Sequence, residues 1–100
     1  MNIEDKILEC GGFDWDKGNW NKNWLKHGVS VAECEQVFFN LPLVFGYDPK
    51  HSYAEERHYA LGKTDANRLL FVVFIIRKNN IRVICARDMT KKEQEVYRKL

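Results

Sequence analysis

A hundred residues, 45% of them apolar and 13% aromatic, can bury one core, whereas two cores would leave each half too small to be stable, so residues 1–100 are read as a single domain. No run approaches the roughly 20 apolar residues of a membrane span, and residues 1–12 mix charges with single apolar residues, so a cytoplasmic protein is expected, neither secreted nor membrane-inserted. The formal net charge of +2 divides into −5 over residues 1–56 (five Lys/Arg, ten Asp/Glu) and +7 over residues 57–100 (eleven against four), a basic C-terminal half of the kind that meets polyanions.

Met1 to Cys10 is compatible with a short helix. Phe13-Asp14-Trp15 starts a short strand, and Asp14 or Asp16 then caps a helix through Lys17 to His27, which Gly28 ends as a left-handed cap. Trp20, Trp24 and His27 share one stripe of that helix and read as core-facing, with Asn19, Lys22, Asn23 and Lys26 on the remainder. Ser30-Val31-Ala32-Glu33 is a capping box opening a second helix whose apolar side is Val31, Cys34, Val37 and Phe38, closed by Leu41-Pro42. The two helices form a tight hairpin whose common face must cover something else.

Leu43 to Phe45 begins a short strand, followed by an irregular segment around Asp48-Pro49. Arg57 to Lys63 is a strand with Arg57, Tyr59 and Leu61 on one face and His58, Ala60 and Gly62 on the other. Arg68 to Ile76 is apolar for eight straight residues, as in a strand buried on both faces at the middle of a sheet. Lys78-Asn79-Asn80 is a hairpin turn and Ile81 to Ala86 its return strand, with Ile81, Val83, Cys85 and Arg87 on one face. Thr90-Lys91-Lys92-Glu93 is a second capping box, starting a last helix in which Val96 and Leu100 make an i, i+4 apolar pair. The expected fold is α+β: two N-terminal helices packed on a three- to four-stranded antiparallel sheet, with a C-terminal helix.

There is no HxxxH, HExxH or paired-cysteine pattern, and Cys10, Cys34 and Cys85 are odd in number without CxxC spacing. Neither a metal site nor a disulfide framework is expected, and no cofactor. What remains is a set of cations and proton carriers: Lys26 and His27 at the end of the first helix, Glu55, Glu56, Arg57 and His58 at a strand start, His51 near a turn, and Arg87 with Tyr97 around the last turn. Arg87 ends an apolar strand beside the positive start of a basic helix, a layout that can hold a phosphate, and a strand-terminal arginine among apolar neighbours needs an anionic partner. RNA can be cleaved without metal, because its 2′-hydroxyl attacks the adjacent phosphate once a base takes its proton. Arginine suits the charge that develops on phosphorus, and histidine, glutamate, lysine or tyrosine the proton transfers. Each residue also has a plainer reading: Glu55, Glu56 and Arg57 as a surface ion pair, His27 packed beside the tryptophans or set against the helix's negative end, Tyr97 as a packing residue.

Phe13-Asp-Trp-Asp16 with Asn23-Trp-Leu-Lys-His-Gly-Val-Ser30, then Tyr53-Ala-Glu-Glu-Arg-His-Tyr-Ala-Leu-Gly62, then Ile81-Arg-Val-Ile-Cys-Ala-Arg87 with Thr90, Glu93 and Tyr97, resemble the BrnT toxin family in order and spacing. The resemblance implies a RelE-like ribonuclease fold and the toxin half of a bacterial type II toxin–antitoxin pair. It implies an endoribonuclease that halts translation by degrading RNA and is neutralised by a BrnA-like antitoxin, with promoter DNA contacted only through the antitoxin. Carried over by motif, the functional positions are Lys26, His27, Glu56, Arg57, Arg87 and Tyr97. Arg57 and Arg87 would stabilise the phosphorane, Glu56 or His27 would act as base, and Tyr97 or Lys26 as acid or phosphate clamp. Met1 to Gly12 is left as an N-terminal extension. The rival expectation is a non-catalytic basic domain, such as a degenerate toxin, that docks an acidic partner or nucleic acid without cutting it.

Overall fold

A computed structural model of the chain describes residues 2–18, 20–52 and 54–100. The elements run α1 (Ile3–Leu8), β1 (Gly12–Phe13), α2 (Lys22–His27), α3 (Val31–Val37), β2 (Val44–Asp48), a 3-10 turn at Pro49–His51, β3 (Arg57–Lys63), β4 (Leu69–Arg77), β5 (Asn80–Asp88) and α4 (Lys91–Arg98). The fold class is the expected α+β, but the sheet has five strands in the order β1-β5-β4-β3-β2. It is mixed, because β1 adds to β5 in parallel through Gly12↔Asn80 and Phe13↔Ile81. The remaining pairs are antiparallel.

β4 lies at the centre, as its apolar run demands. Its two faces are unequal, however: Leu70, Val72 and Phe74 are fully buried, whereas Leu69, Phe71 and Val73 are only partly so. One face is closed by helices, with α3 on β3 and β4 and α2 on β5. There Val29, Cys34 and Val37 meet Ala60, Leu70, Val72, Phe74 and Val83. Gly62 lets α3 approach, since a β-carbon at that position would stand 2.7 Å from Val37 Cγ1. The opposite face is more open: at one end α4 sets Tyr97 over Leu61 and Met89, and toward the other Ile75 is buried.

Local chemistry accounts for the boundaries. Both predicted capping boxes form: the Ser30 and Thr90 hydroxyls accept from the Glu33 and Glu93 N–H groups, and each glutamate carboxylate accepts in return from the cap's N–H. Lys78 and Asn79 both have positive φ, 51° and 60°, between the paired Arg77 and Asn80, which is the two-residue hairpin turn whose twist suits antiparallel strands.

Two expectations about helix faces are corrected. The helix expected over Lys17–His27 begins only at Lys22, so Trp20 precedes it, and Trp20 and Trp24 are 55% and 59% exposed rather than core. Asn19, placed on that helix's polar side, lies outside the described residues. The buried residue of α2 is Asn23, whose Oδ1 accepts from the Ala86 N–H at 2.9 Å, so the helix docks against the rim of β5 through a polar contact. On α4 the Val96 and Leu100 pair faces solvent, and it is Tyr97 that is buried.

Candidate active site

The half-covered face of the sheet carries alternate residues of each strand. Along β3 these are Arg57, Tyr59 and Leu61; on β4, Phe71 lies beside Leu61 and Val73 beside Tyr59; on β5, Arg87 lies beside Phe71 and Cys85 beside Val73. Arg57 and Arg87 therefore share one face. Arg87 is on the rung of Leu61, four residues and about 13 Å along β3 from Arg57. Between them the Tyr59 and Phe71 rings stack at 5.4 Å, and the Arg87 guanidinium sits 4.1 Å from the centre of the Phe71 ring.

Arg87 has the anionic partner that its position demanded, and the partner is Glu93 of the second capping box. Arg87 Nη1 and Nη2 donate to Glu93 Oε1 and Oε2 at 2.8 and 3.1 Å, and Nη1 also donates to the Asp88 carbonyl. The bond from Arg87 first, then the Thr90 N–H, holds the Glu93 carboxyl below the usual glutamate range against the opposing effect of burial. A guanidinium has five N–H groups. Among the described residues these three bonds leave the Nε–H and one Nη2–H for a further acceptor.

Lys26 and His27 lie exposed at the C-terminus of α2, at the same sheet end as Arg87. Arg68 ties that corner together. It donates to the His27 and Gly28 carbonyls, to Glu33 and to Asp88. Asp88 is held below the usual carboxylate range by Arg68 and, more weakly, by the nearby His27.

Glu56 stands at the other end and on the other side. It faces Lys6 at 4.0 Å and lines a hollow with Ile3, Glu55, His58 and Ile76 beneath α1. His58 packs there between Tyr47 and Phe74, and burial pushes its imidazole down. Glu55 pairs with Arg77 rather than with Arg57. Of His51 only its place in the 3-10 turn is described. Tyr97 lies under α4 with its hydroxyl donating to the Pro42 carbonyl at 2.6 Å, and burial raises its pKa.

The fold thus unites Arg57 with Arg87 on one face, and Lys26 and His27 with Arg87 at one end. It sets Glu56 on the other side, while Tyr97 packs over Leu61 on the arginines' face with its hydroxyl held by the Pro42 carbonyl. Sequence reasoning passed over Phe71, because eight consecutive apolar residues erase the alternation that would have revealed its face. It placed Tyr59 correctly beside Arg57 without giving it a role.

An α+β domain that turns arginines and aromatic rings outward from one sheet face, with helices closing the other, has a surface whose chemistry suits a polyanion. Residues 15–93 match the family model of the ribonuclease toxin BrnT of type II toxin–antitoxin systems, and the chain belongs to that family. No curated protein is a match for this sequence. The matched span contains Lys26, His27, Glu56, Arg57 and Arg87, while α1, β1 and Tyr97 fall outside it. Family membership carries a ribonuclease activity, an RNA target and an antitoxin partner. Among the described residues no helix is long and apolar enough to cross a membrane.

Proposed function

We propose that this protein is an endoribonuclease toxin acting in the cytoplasm, cutting RNA by its own 2′-hydroxyl without a metal ion, and neutralised by a BrnA-like antitoxin. Promoter DNA is contacted only through that antitoxin. The observation that carries the reading is the pair Arg57 and Arg87 on one open sheet face of a BrnT-family chain.

In this reading Arg87 is the phosphate ligand. Glu93 grips it end-on and fixes the plane of its guanidinium, so the remaining N–H groups are aimed before substrate arrives. Arg57 sits a few nucleotide contacts away and draws the strand across the sheet. His27 is the base candidate on the Arg87 side, with Lys26 as a second clamp. Glu56, under α1, serves as base only if the strand turns around the β3 start, and Tyr97 acts as acid only after giving up the Pro42 carbonyl. The purified chain is expected to cut RNA in EDTA and leave 2′,3′-cyclic phosphate ends. Intact RNA from a folded preparation would remove the activity claim.

A second reading is favoured by the same Arg87–Glu93 pair and by the buried Tyr97 hydroxyl: a basic domain that binds RNA or an acidic partner without cutting it. Salt-sensitive RNA binding with no product is its signature. Expression of wild type and the Arg57→Ala/Arg87→Ala variant in bacteria separates the two, since only a toxin arrests growth and only in its intact form.

A further inference from the structure

We infer that the groove between the Tyr59–Phe71 stack and the start of α4 is a seat for an unpaired nucleobase of the RNA strand. The inference rests on the polyanion reading of this face and adds to it a contact that carries no charge.

Tyr59, Leu61 and Phe71 form the floor of a groove of about 370 Å³, and Thr90, Lys92, Glu93 and Val96 form its wall. Tyr59 and Phe71 are only partly covered, while Leu61 is buried. The two rings are also ordered. Tyr59 and Phe71 are within 21° of parallel, and the Arg87 guanidinium continues the stack over Phe71.

The chain makes room for this arrangement in its backbone. Tyr59 pairs across β2 with Gly46, and a β-carbon at Gly46 would collide with the Tyr59 ring, so any other residue there would lift the ring off the sheet. With glycine the ring keeps its place over Gly46 and against Phe71. Every base has a π-face, so aromatic platforms of this kind take single strands with little regard to sequence.

Charge selects the occupant. Arg57 lies two residues from Tyr59 on the same face, and Arg87 and Lys92 lie at the other end. A base in the groove would leave its flanking phosphates within reach of both groups. Arg87 is already paired with Glu93, so it is Arg57 and Lys92 that an apolar protein segment in the same place would leave without counter-charge.

The test compares two uncleavable 2′-O-methyl oligomers of about eight nucleotides, a length within the usual single-strand site size: oligoadenylate, and the same backbone with every base removed. Wild type is expected to bind the base-bearing oligomer roughly tenfold more tightly. Tyr59→Leu is expected to abolish that preference while leaving the abasic affinity and its salt slope within about twofold, because no phosphate contact is lost. Tyr59→Phe, which keeps the ring, should retain the preference and so guards against a general loss of fold. Equal binding of both oligomers by wild type overturns the base seat while leaving the polyanion reading intact. Equal weakening of both by Tyr59→Leu overturns the seat as well. Failure of wild type to bind either one overturns the polyanion reading itself. Loss of antitoxin binding by Tyr59→Leu with RNA binding untouched would make the groove a protein seat and overturn the inference.

Discussion

Glu93 has two duties at once: its carboxylate closes the capping box by accepting from the Thr90 N–H, and it holds both Nη groups of Arg87. That Arg87 required an anion was legible from its place at the end of an apolar strand. That the anion stands six residues later was not, because it depends on the cap turning α4 back over the strand end. Replacing Glu93 with Gln removes the charge and keeps the shape, and is expected to cost about 1–2 kcal/mol, a charge-assisted bond exchanged for a neutral one. Urea denaturation at neutral pH reads the loss. Arg87→Ala should likewise lower stability, since its guanidinium covers Phe71 and its partner would be left half-buried. Its effect on cleavage must therefore be compared at matched folded fraction.

His58 and the clamped carboxylates give stability a pH dependence whose sign is fixed. Burial lowers the His58 pKa from its ordinary 6.5, with Glu56 opposing and Lys6 adding, so the folded state disfavours the imidazolium. The contribution is complete above pH 6.5 and is lost as pH falls from there through the lowered value. Glu93 and Asp88 are lowered from 4.5 and 3.8 by their arginines, so their contribution is lost further down, below about pH 4.5. Melting temperature is expected to fall in two stages on acidification. The first stage should be absent in His58→Phe, which keeps a ring between Tyr47 and Phe74.

At the scale of elements the caps and the alternation of β3 came through, but the single face expected for Ile81, Val83, Cys85 and Arg87 did not. A register shift at Val73/Phe74 puts Ile81 and Val83 on the helix-covered side and Cys85 and Arg87 on the open side. β3 has the predicted bounds Arg57–Lys63, and both capping boxes start their helices where expected. The face of α2 did not come through, because periodicity counts apolar residues and this helix docks by an amide. The Trp20, Trp24 and His27 stripe looked like a core face, yet the contact that holds the helix is Asn23 on the Ala86 N–H. Asn23→Ala would leave a buried strand N–H without its acceptor, at a cost of about 1–3 kcal/mol, seen as a lower urea midpoint. The crossing of β2 and β3 supplies a second test. Gly46→Ala must displace the Tyr59 ring, at about 1–3 kcal/mol of overpacking, and the change should appear in the tyrosine near-ultraviolet signal as well as in stability.

Across the whole molecule the division of charge has a meaning that composition concealed. Three arginines of the basic half are matched to acids of the acidic half: Arg68 to Glu33, Arg77 to Glu55, and Arg82 to Asp14 and Asp16. Much of the asymmetry is therefore the record of long-range pairing between the two halves, not of a bare cationic surface. RNA affinity should accordingly depend on salt only modestly. With Arg57, Arg87, Lys92 and a neighbouring lysine as contacts, at about 0.7 per neutralised phosphate for single strands, the log–log slope should lie near −2 to −3. A slope several times steeper would mean that the ion pairs open on binding.

The rim of β5 is shielded twice, by different means. At its start β1 pairs with Asn80 and Ile81, with Gly11 and Asp14 extending the contact to the Asn79 and Ile81 carbonyls; near its end Asn23 takes the Ala86 N–H. A nine-residue strand left with its hydrogen-bonding groups open would be a template for a second chain. Residues 2–14, which the family match does not include, thus cover part of an edge on which a second chain could otherwise pair. Their removal also takes Ile3, Ile7, Cys10 and Phe13 off the core and is expected to raise concentration-dependent self-association above that of the full chain, visible by light scattering. The Asn23→Ala variant should push the same shorter chain further along that route.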